Sequence, residues 1–330
     1  MMRPWLWLAR GLLCSLLVLL SAAAGAAGPL KKASFMPLWL PQAQFAGYYM
    51  ALEKGYYAKH GIELTLVPGG PGLNPADALR QGKVDFAAMW LTTALRHRDR
   101  GLPLVHLSQM VQQSSLLLVA RKTSGIRSVA DLHGRKVGLW GGDLDIPARS
   151  VFDRHQVRVQ RVAQTATVTM FLRGGVTATS AMLYNEYHTI LSAGIDPEEL
   201  TVLPLKDLGA RFPEDGLYAL STTVQRDPEL VDAFVRATWE GWDYAFAHAE
   251  ETIDVVLRTM KQARLPANRM HQRWMLARMQ ELMRPSDGGQ QPGELARSDL
   301  QAVTQELNRI GLLRGPVTYE SFVRTRRALR

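Results

Sequence analysis

The sequence has almost no cysteine. Its 330 residues include only Cys14, which lies within the first 27 residues, a stretch with the features of a removable leader. A mature chain without cysteine forms no disulfide, carries no thiol nucleophile and offers no cysteine ligand to a metal. A chain of about 300 residues can bury a core large enough to fold without covalent links of this kind.

Long apolar runs are also scarce. The most apolar run, from Gly11 to Ala24, follows two arginines and is shorter than the roughly 20 residues that a membrane-spanning helix needs. It ends in small residues, 22–27, which suit cleavage by signal peptidase. Residues 1–27 are therefore predicted to be a signal peptide that is cleaved near Ala27 and directs the chain to the periplasm. The alternative is a retained membrane anchor.

Several functional motifs are absent. The glycine-rich segment 68–72 is not followed by Gly-Lys-Ser/Thr, which excludes a P-loop. The eight histidines show no His-x-x-x-His spacing, and no Ser-His-Asp arrangement is visible from spacing alone. The sequence therefore predicts neither a metal site nor a cofactor.

The charged fraction is modest, at 21%, and the balance is basic. Removing the two arginines of the leader from the 39 basic residues leaves 37 against 30 acidic ones, a net charge of +7. These charges are dispersed, and the densest cluster of arginines lies at 324–330. A basic, solvated surface accounts for this pattern, and no nucleic-acid partner is predicted for an exported chain.

Two short runs organise the rest of the sequence. Residues 85–90 read DFAAMW, and residues 177–187 read TATSAMLYNEY. Each run follows a glycine-containing turn, is small and apolar, and ends in aromatic residues, which is typical of a strand buried on both faces. Ligands of open α/β sheets bind beyond the carboxyl ends of such strands. The sequence therefore predicts two lobes that face one cleft.

The order of patterns predicts an α/β fold with one lobe inserted in the other. Alternating strand and helix patterns run to Arg121, restart at Lys122, and give way to a strand near 215–222 and then to helices. Lobe I is predicted to comprise 28–121 and 218–330, and lobe II 122–217. The two crossovers between lobes would form a hinge that closes around a ligand.

Several segments resemble one protein family. The resemblance covers roughly residues 34–260 and rests on the segments 39–49, 53–57, 61–63, 69–70, 82–85 and 184–187. These resemble periplasmic substrate-binding proteins of the thiamine-pyrimidine-precursor family of ABC importers. The resemblance implies a two-lobed periplasmic-binding-protein fold (type II, Venus flytrap) with mostly parallel sheets and a cleft between lobes. It also implies a membrane permease as partner.

One branch of this family is enzymatic and builds the pyrimidine from a lysine-bound cofactor and its own histidine. In that branch a lysine, and a histidine four residues later, follow the Gly-Lys-Val-Asp motif. Met89 and Thr93 stand at the corresponding positions here, and the cysteine-rich run of that branch is absent. We therefore expect a binding protein and no enzyme.

Aromatic and acidic residues near the predicted strand ends are the candidate ligand contacts. Trp39 and Trp90 are expected to stack on a flat heterocycle. Glu186 is expected to accept two N–H bonds from an aminopyrimidine, with a helix N-terminal carboxylate as the alternative role. Tyr48 lies on a helical stripe, so that core packing competes with ligand contact.

The remaining candidates would wall and orient the ring. They are the side chains of Tyr184, Asn185 and Tyr187 and the backbone of Gly69, Gly70 and Gly141. An acidic residue, Asp143, follows Gly141 and Gly142 and disfavours a phosphate or sulfonate there. This favours a neutral or cationic ligand.

The predicted function is capture of a thiamine pyrimidine precursor, an aminopyrimidine, for an ABC importer. Three alternatives remain at this point. The first is another small aromatic or sulfonate metabolite such as riboflavin. The second is a sensory module that presents its ligand state to a membrane protein. The third is a pyrimidine synthase.

Overall fold

A computed structural model of the protein describes residues 28–284 and 291–324. The predicted signal peptide, 1–27, lies outside the described residues, as does most of the terminal arginine cluster. The described residues form ten strands: β1 Lys31–Met36, β2 Ile62–Leu66, β3 Phe86–Trp90, β4 Leu104–Gln109, β5 Leu116–Arg121, β6 Lys136–Trp140, β7 Gln160–Gln164, β8 Ala178–Met182, β9 Leu200–Pro204 and β10 Asp215–Leu220.

Thirteen α-helices lie in the same described ranges. They are α1 Ala46–Glu53, α2 Tyr56–Lys59, α3 Pro75–Arg80, α4 Leu91–Asp99, α5 Ile146–Arg154, α6 Thr169–Leu172, α7 Glu186–Ser192, α8 Ser221–Arg226, α9 Pro228–Ala247, α10 Ala249–Gln262, α11 Arg269–Met283, α12 Arg297–Arg309 and α13 Tyr319–Phe322. None of the helices in the described part of the chain has the length and apolarity that crossing a membrane requires.

The strands form two five-stranded sheets with the same plan. The first has the order β2-β1-β3-β10-β4 and the second the order β7-β6-β8-β5-β9. In each sheet four strands run in one direction, and the fourth in spatial order, β10 or β5, runs antiparallel to both of its neighbours. Each of these odd strands is the first strand that the chain forms after it crosses from one sheet to the other. The two-lobed α/β fold is thus confirmed.

The lobe boundaries differ from the prediction. β5, which the sequence pattern placed in lobe I, pairs with β8 and β9 in the second sheet. The first crossover therefore lies at residues 110–115, before β5, and not after Arg121. The second lies at 209–214, before β10, and not at 217. A buried apolar strand has the same sequence pattern in either sheet, so the pattern alone could not assign β5 to a lobe.

The two runs that organise the sequence are the buried strands that they were predicted to be. All five residues of β3 and all five of β8 are buried. In the core of the first lobe, Phe86 of β3 stacks on Phe234 of α9 with ring centroids 4.0 Å apart. Helices α9 and α1 approach closely at Gly47, where a Cβ atom would lie 2.2 Å from the Trp242 ring. Larger residues would separate these helices.

Candidate ligand-binding cleft

The carboxyl ends of strands from both sheets meet at one narrow pocket, which we name the inner compartment. β3 ends at Trp90, β6 ends at Trp140, and Glu186 begins α7 shortly after β8. The compartment encloses about 360 Å³ of empty space, part of it open to solvent. Its lining residues are Leu38, Trp39, Gln42, Gln44, Trp90, Trp140, Leu144, Met182, Tyr184, Asn185 and Glu186.

A wider space, the outer compartment, adjoins the inner one. It encloses about 1010 Å³, again partly open to solvent. Four residues, Leu38, Trp39, Trp140 and Leu144, line both spaces. The rest of its lining is Gly70, Pro71, Gly72, Leu73, Asn74, Pro75, Thr93, Gly141, Gly142, Asp143, Gln164 and Thr165. The two compartments therefore lie side by side between the lobes and share part of their walls.

Glu186 is the buried acidic group of the inner compartment, with 4% of its surface exposed. One carboxyl oxygen accepts the Met182 backbone N–H at 3.0 Å, and the other accepts the Asn185 side-chain amide at 2.8 Å. Burial raises the pKa of Glu186 to about 7, against the lowering effect of these donors. Each oxygen has a second lone pair, so the group can still meet a ligand.

Helix α11 fixes the orientation of Asn185. Because the Asn185 amide nitrogen donates to Glu186, its oxygen accepts from Nε2 of His271 at 2.9 Å. Trp274 of the same helix donates to the Leu183 carbonyl at 3.2 Å. Helix α11 itself belongs to lobe I, where Gln272 accepts the Ala43 N–H at 2.7 Å. One helix of lobe I thus also supports the cleft residues of lobe II.

Two further buried carboxyl groups lie behind the inner compartment, at the hinge. Asp215 accepts the Gln44 side-chain amide at 2.8 Å, and Glu214 accepts the Ser115 backbone N–H at 2.6 Å. Burial raises the pKa of Asp215 to about 6 and that of Glu214 to about 8. Gln44 lines the pocket, so it links the ligand space to this acidic pair. The sequence reading did not include any of these residues.

Five of the residues that the sequence nominated lie together in the inner compartment: Trp39, Trp90, Tyr184, Asn185 and Glu186. Gly70 and Gly141 lie in the outer compartment. Trp140, which the sequence reading missed, ends β6, the strand of lobe II that corresponds in sheet order to β1 of lobe I. The apolar strand pattern that ends at Trp140 and the glycine turn that follows it were the signal that could have found it.

Tyr48 does not line either compartment, so its nomination as a ligand contact is corrected. Its side chain is 2% exposed and packs in the core of lobe I, with its ring centroid 4.5 Å from that of Phe35 and 5.9 Å from that of Trp242. The helical stripe that contains Tyr48 faces the sheet, and core packing is the role that its position supports.

Tyr187 and Gly69 also lie outside the lining of both compartments. Tyr187 is one residue further along α7 than Glu186, so its side chain points to a different side of the helix. It packs against the core of lobe II and away from the cleft. At Gly69 a Cβ atom would lie 2.1 Å from the Pro37 carbonyl oxygen. This glycine therefore allows its loop to pack against the segment that carries Trp39.

The acidic residue of the outer compartment is neutralised. Asp143 of lobe II forms a salt bridge with Arg96 of α4 in lobe I, and its other oxygen lies 3.6 Å from Nε2 of His97. Both partners of the salt bridge are largely buried. The pair connects the lobes across the cleft. Because its two charges are opposite and in contact, they cancel locally.

This arrangement, with two similar sheets and a cleft at the ends of their strands, defines a protein of the periplasmic-binding-protein fold. The periplasmic aliphatic sulphonate binding protein SsuA from Escherichia coli has the same fold. It superposes with a TM-score of 0.65 over 91% of this chain and 94% of its own, at 14% sequence identity.

A sequence profile of the NMT1/THI5-like family matches residues 42–252, and the chain belongs to this family. A riboflavin-binding protein, RibY, of Chloroflexus aurantiacus is 27% identical over 260 residues, which cover 74% of this chain and 73% of RibY. A formylaminopyrimidine-binding protein of Halalkalibacterium halodurans is 23% identical over 69% of this chain and 70% of its own. A Legionella pneumophila protein named 4-amino-5-hydroxymethyl-2-methylpyrimidine phosphate synthase is 21% identical over 69% and 73%.

Proposed function

We propose that the protein is an extracytoplasmic solute-binding protein of an ABC importer that captures a thiamine pyrimidine precursor, an aminopyrimidine. The observation that supports this ligand is the grouping of three indole rings and the Glu186 carboxyl group in one narrow compartment. The name of the relative from Halalkalibacterium halodurans supports it as well. The captured ligand would pass to a membrane permease.

The tryptophans provide the flat surfaces of the proposed site. Trp39 and Trp90 come from lobe I and Trp140 from lobe II, so that closure of the lobes places a planar ring between indole faces. Aromatic contacts of this kind contribute about 0.5–1.5 kcal/mol each beyond the burial of surface. Such stacking selects for flatness, and it does not distinguish one heterocycle from another.

Glu186 supplies the selection for an amine. When ionised it accepts the N–H bonds of an exocyclic amine, and when protonated it can also donate to a ring nitrogen. Its pKa of about 7 leaves both forms accessible at neutral pH. An aminopyrimidine presents an amine beside a ring nitrogen, which is the pattern that this carboxyl group complements.

The lining residues favour binding over synthesis. Among the described residues that line the two compartments there is no lysine, cysteine or histidine. Met89 is fully buried within β3, so the position of the lysine in the enzymatic branch holds an inert side chain. A cofactor bound through a lysine would have no attachment point in this cleft.

Sulfonates and other anions are disfavoured as ligands. Glu186 of the inner compartment forms no salt bridge among the described residues, and Asp143 of the outer compartment is paired with Arg96. An anion would therefore meet carboxyl groups without a free cation to compensate them.

A titration of the mature protein tests the proposal. Tryptophan fluorescence should change saturably with 4-amino-2-methyl-5-hydroxymethylpyrimidine. The matched 4-oxo analogue, which lacks the amine, should bind at least about tenfold more weakly, since one charge-assisted hydrogen bond is worth this much. The absence of saturable binding by any aminopyrimidine would overturn the proposal, and equal affinity for the two compounds would remove the role of Glu186.

Riboflavin is the second candidate ligand. The outer compartment, which adjoins the inner one and encloses about 1010 Å³, is large enough for a molecule bigger than a single pyrimidine ring, and the relative RibY is named for riboflavin. Stacking on tryptophan would quench flavin fluorescence, so a titration of riboflavin with protein gives a direct measurement. Quenching that saturates, together with no response to aminopyrimidines, would replace the first candidate with this one.

A further inference from the structure

Two histidines from opposite lobes meet beside the inner compartment. His188 lies on α7 of lobe II and His271 on α11 of lobe I, and their Nδ1 atoms are 2.9 Å apart. The His188 ring also stacks on Trp274 of α11, with ring centroids 4.9 Å apart. Both imidazoles are half-buried. Because each ring comes from a different lobe, a hinge motion that parts the lobes breaks this contact.

The hydrogen bonds around the pair fix the tautomers of the neutral rings. The Asn185 oxygen accepts from Nε2 of His271 at 2.9 Å, because the Asn185 amide nitrogen donates to Glu186. Nδ1 of the neutral His271 ring therefore carries no proton, and it accepts the Nδ1 proton of His188. A chain of three hydrogen bonds thus runs from His188 of lobe II through His271 of lobe I and back to Glu186.

The contact between the two rings accommodates one additional proton at most. A first proton still leaves one Nδ1 atom bare, so that an N–H faces a lone pair. A second proton places two N–H groups and two positive charges against one another. Burial lowers the pKa of both histidines, and the nearby His188 lowers that of His271 further, to about 4. The closed lobes therefore exclude a proton that the separated histidines bind in mild acid.

The other ionisable groups around the pair are paired, neutral or set apart. Glu186 of α7 is separated from His271 by the Asn185 amide, and Tyr187 packs against the core of lobe II. Strand β8 and the turn 43–45, which lie beside these helices, carry no ionisable side chain. The charged residues of α11 form salt bridges: Arg269 with Glu250 and Asp254, Arg273 with Glu250, and Arg278 with Glu281. Among the described residues of these elements, Glu186 and the two histidines therefore lack a counter-ion.

We propose that His188 and His271 form a proton-sensitive latch, which holds the lobes together at neutral pH and releases them in mild acid. His271 is also a positioning residue, because through Asn185 it orients the carboxyl group of Glu186. Closure of the lobes and orientation of this carboxyl group are thereby linked, and both are lost when the pair takes up a second proton. The latch concerns the motion of the lobes, so it does not depend on which ligand the cleft binds.

The effect of pH on the latch has a definite sign. Because closure lowers the pKa of His271 from 6.5 to about 4, the latch favours closure fully above pH 6.5 and loses its effect as the pH falls below that value. From this cause, the ratio of closed to open lobes should be about tenfold lower at about pH 5.5 than at about pH 7.5. The raised pKa of Glu186 acts in the opposite sense, so each variant is compared with the wild type at the same pH.

Spin-label distances in the ligand-free protein measure the latch. The predicted mature chain, 28–330, contains no cysteine, so labels can be attached after the substitutions Leu73→Cys in lobe I and Thr167→Cys in lobe II. Both residues are exposed. Double electron–electron resonance then gives a short distance for closed lobes and a long distance for open ones. The wild type should show both, and their populations give the closed-to-open ratio at each pH.

Matched variants assign the effect to the histidine pair. His271→Gln keeps a donor for Asn185 but takes up no proton, so its closed-to-open ratio, divided by that of the wild type, should rise about tenfold between about pH 7.5 and about pH 5.5. His188→Asn, on the opposite lobe, should change the ratio in the same direction. His133→Asn is the control, because His133 is exposed and bonds within lobe II. Thermal unfolding verifies that each variant folds, and either pair variant alone suffices for the comparison.

The latch and the proposed function can fail separately. A ratio between His271→Gln and the wild type that stays constant with pH would overturn the latch, as would a wild type with a single distance at both pH values. The titration with aminopyrimidines decides the ligand. A pH-dependent latch without binding of an aminopyrimidine would refute the proposed ligand and leave the latch in place, whereas binding without the pH dependence would do the reverse.

Discussion

The two compartments of the cleft differ in how their acidic groups are held. In the inner compartment, and behind it at the hinge, Glu186, Glu214 and Asp215 are buried with neutral donors, and no salt bridge reaches them among the described residues. In the outer compartment Asp143 is paired with Arg96. Burial without a counter-ion raises the pKa of a carboxyl group toward neutral pH, whereas in the outer compartment a positive charge lies beside the carboxyl group and cancels its charge locally. The inner compartment is thus suited to amines and the outer one to uncharged groups.

Glu186→Gln is expected to have the largest effect on this difference. The amide has the shape of the carboxyl group but cannot accept with both of its polar atoms, so affinity for an aminopyrimidine should fall roughly 10- to 100-fold. Calorimetric titration measures the loss. Glu214→Gln is the control, because Glu214 is equally buried and lies at the hinge outside the pocket lining. Equal losses in the two variants would show that the effect is on the hinge and not on ligand recognition.

Much of the fold could be predicted because the sequence carries its local signals strongly. Glycine turns precede β3 and β8, and the strands themselves are rich in small apolar residues. Together these features predicted buried strands whose ends face a cleft. Asn74 and Pro75, a capping residue followed by proline, form a local signal for the start of α3, and the Asn74 side chain caps that helix. These signals come from residues that are adjacent in sequence, so they can be recognised without knowledge of the tertiary structure.

The assignment of elements to lobes depends on distant partners and was less predictable. β5 is as apolar as any strand of the first sheet, and only its pairing with β8 and β9 shows which lobe it joins. Helical periodicity likewise placed Tyr48 on a stripe without showing whether the sheet or the ligand lies opposite. The sequence carries no local mark for either choice.

The acidic pair at the hinge was the most difficult part to predict. Glu214 and Asp215 follow an ordinary loop, and adjacent acidic residues usually indicate a solvated surface. Their burial results from the second crossover passing against the first, where the Glu214 backbone N–H donates to the Val111 carbonyl at 3.0 Å and its side chain accepts from Ser115. Only the return of the chain to lobe I brings these partners together.

The pH dependence of stability should show the unpaired acids directly. The folded-state pKa values of Glu214, Glu186 and Asp215 are raised to about 8, 7 and 6. Each group therefore contributes stability that is present below its unfolded pKa, near 4, and is lost as pH rises through its folded pKa. The free energy of unfolding of the ligand-free protein should therefore fall from about pH 4.5 to about pH 8, most steeply below pH 6, where all three groups contribute. Denaturant titration at a series of pH values measures this slope.

Glu214→Gln tests the source of this slope. The amide can accept the Ser115 N–H and stays neutral, so a few kcal/mol of the decrease over this pH range should disappear, roughly 1.4 kcal/mol for each pH unit between the ordinary pKa of the group and about 8. A variant that retains the full pH dependence of the wild type would show that Glu214 is ionised throughout. Glu214 would then not be a buried acid with a raised pKa, and the contrast with the paired Asp143 would not hold at the hinge.

The smallest effect is expected from Asp143→Asn, which alters the outer compartment alone. Removing the carboxylate leaves Arg96 without its salt-bridge partner beside the cleft, so the outer compartment gains a positive charge. A 5-phosphooxymethyl aminopyrimidine should then bind about threefold to tenfold more tightly, the range of a partly screened charge contact. The control ligand 4-amino-2,5-dimethylpyrimidine has no group that would reach that compartment. It should bind to the variant as it does to the wild type. Gain of affinity for both compounds would mean that the variant changes lobe closure, because Arg96 and Asp143 also join the lobes. No gain for the phosphate ester would mean that Arg96 does not face the ligand space, and that the neutrality of the outer compartment has another cause than this ion pair.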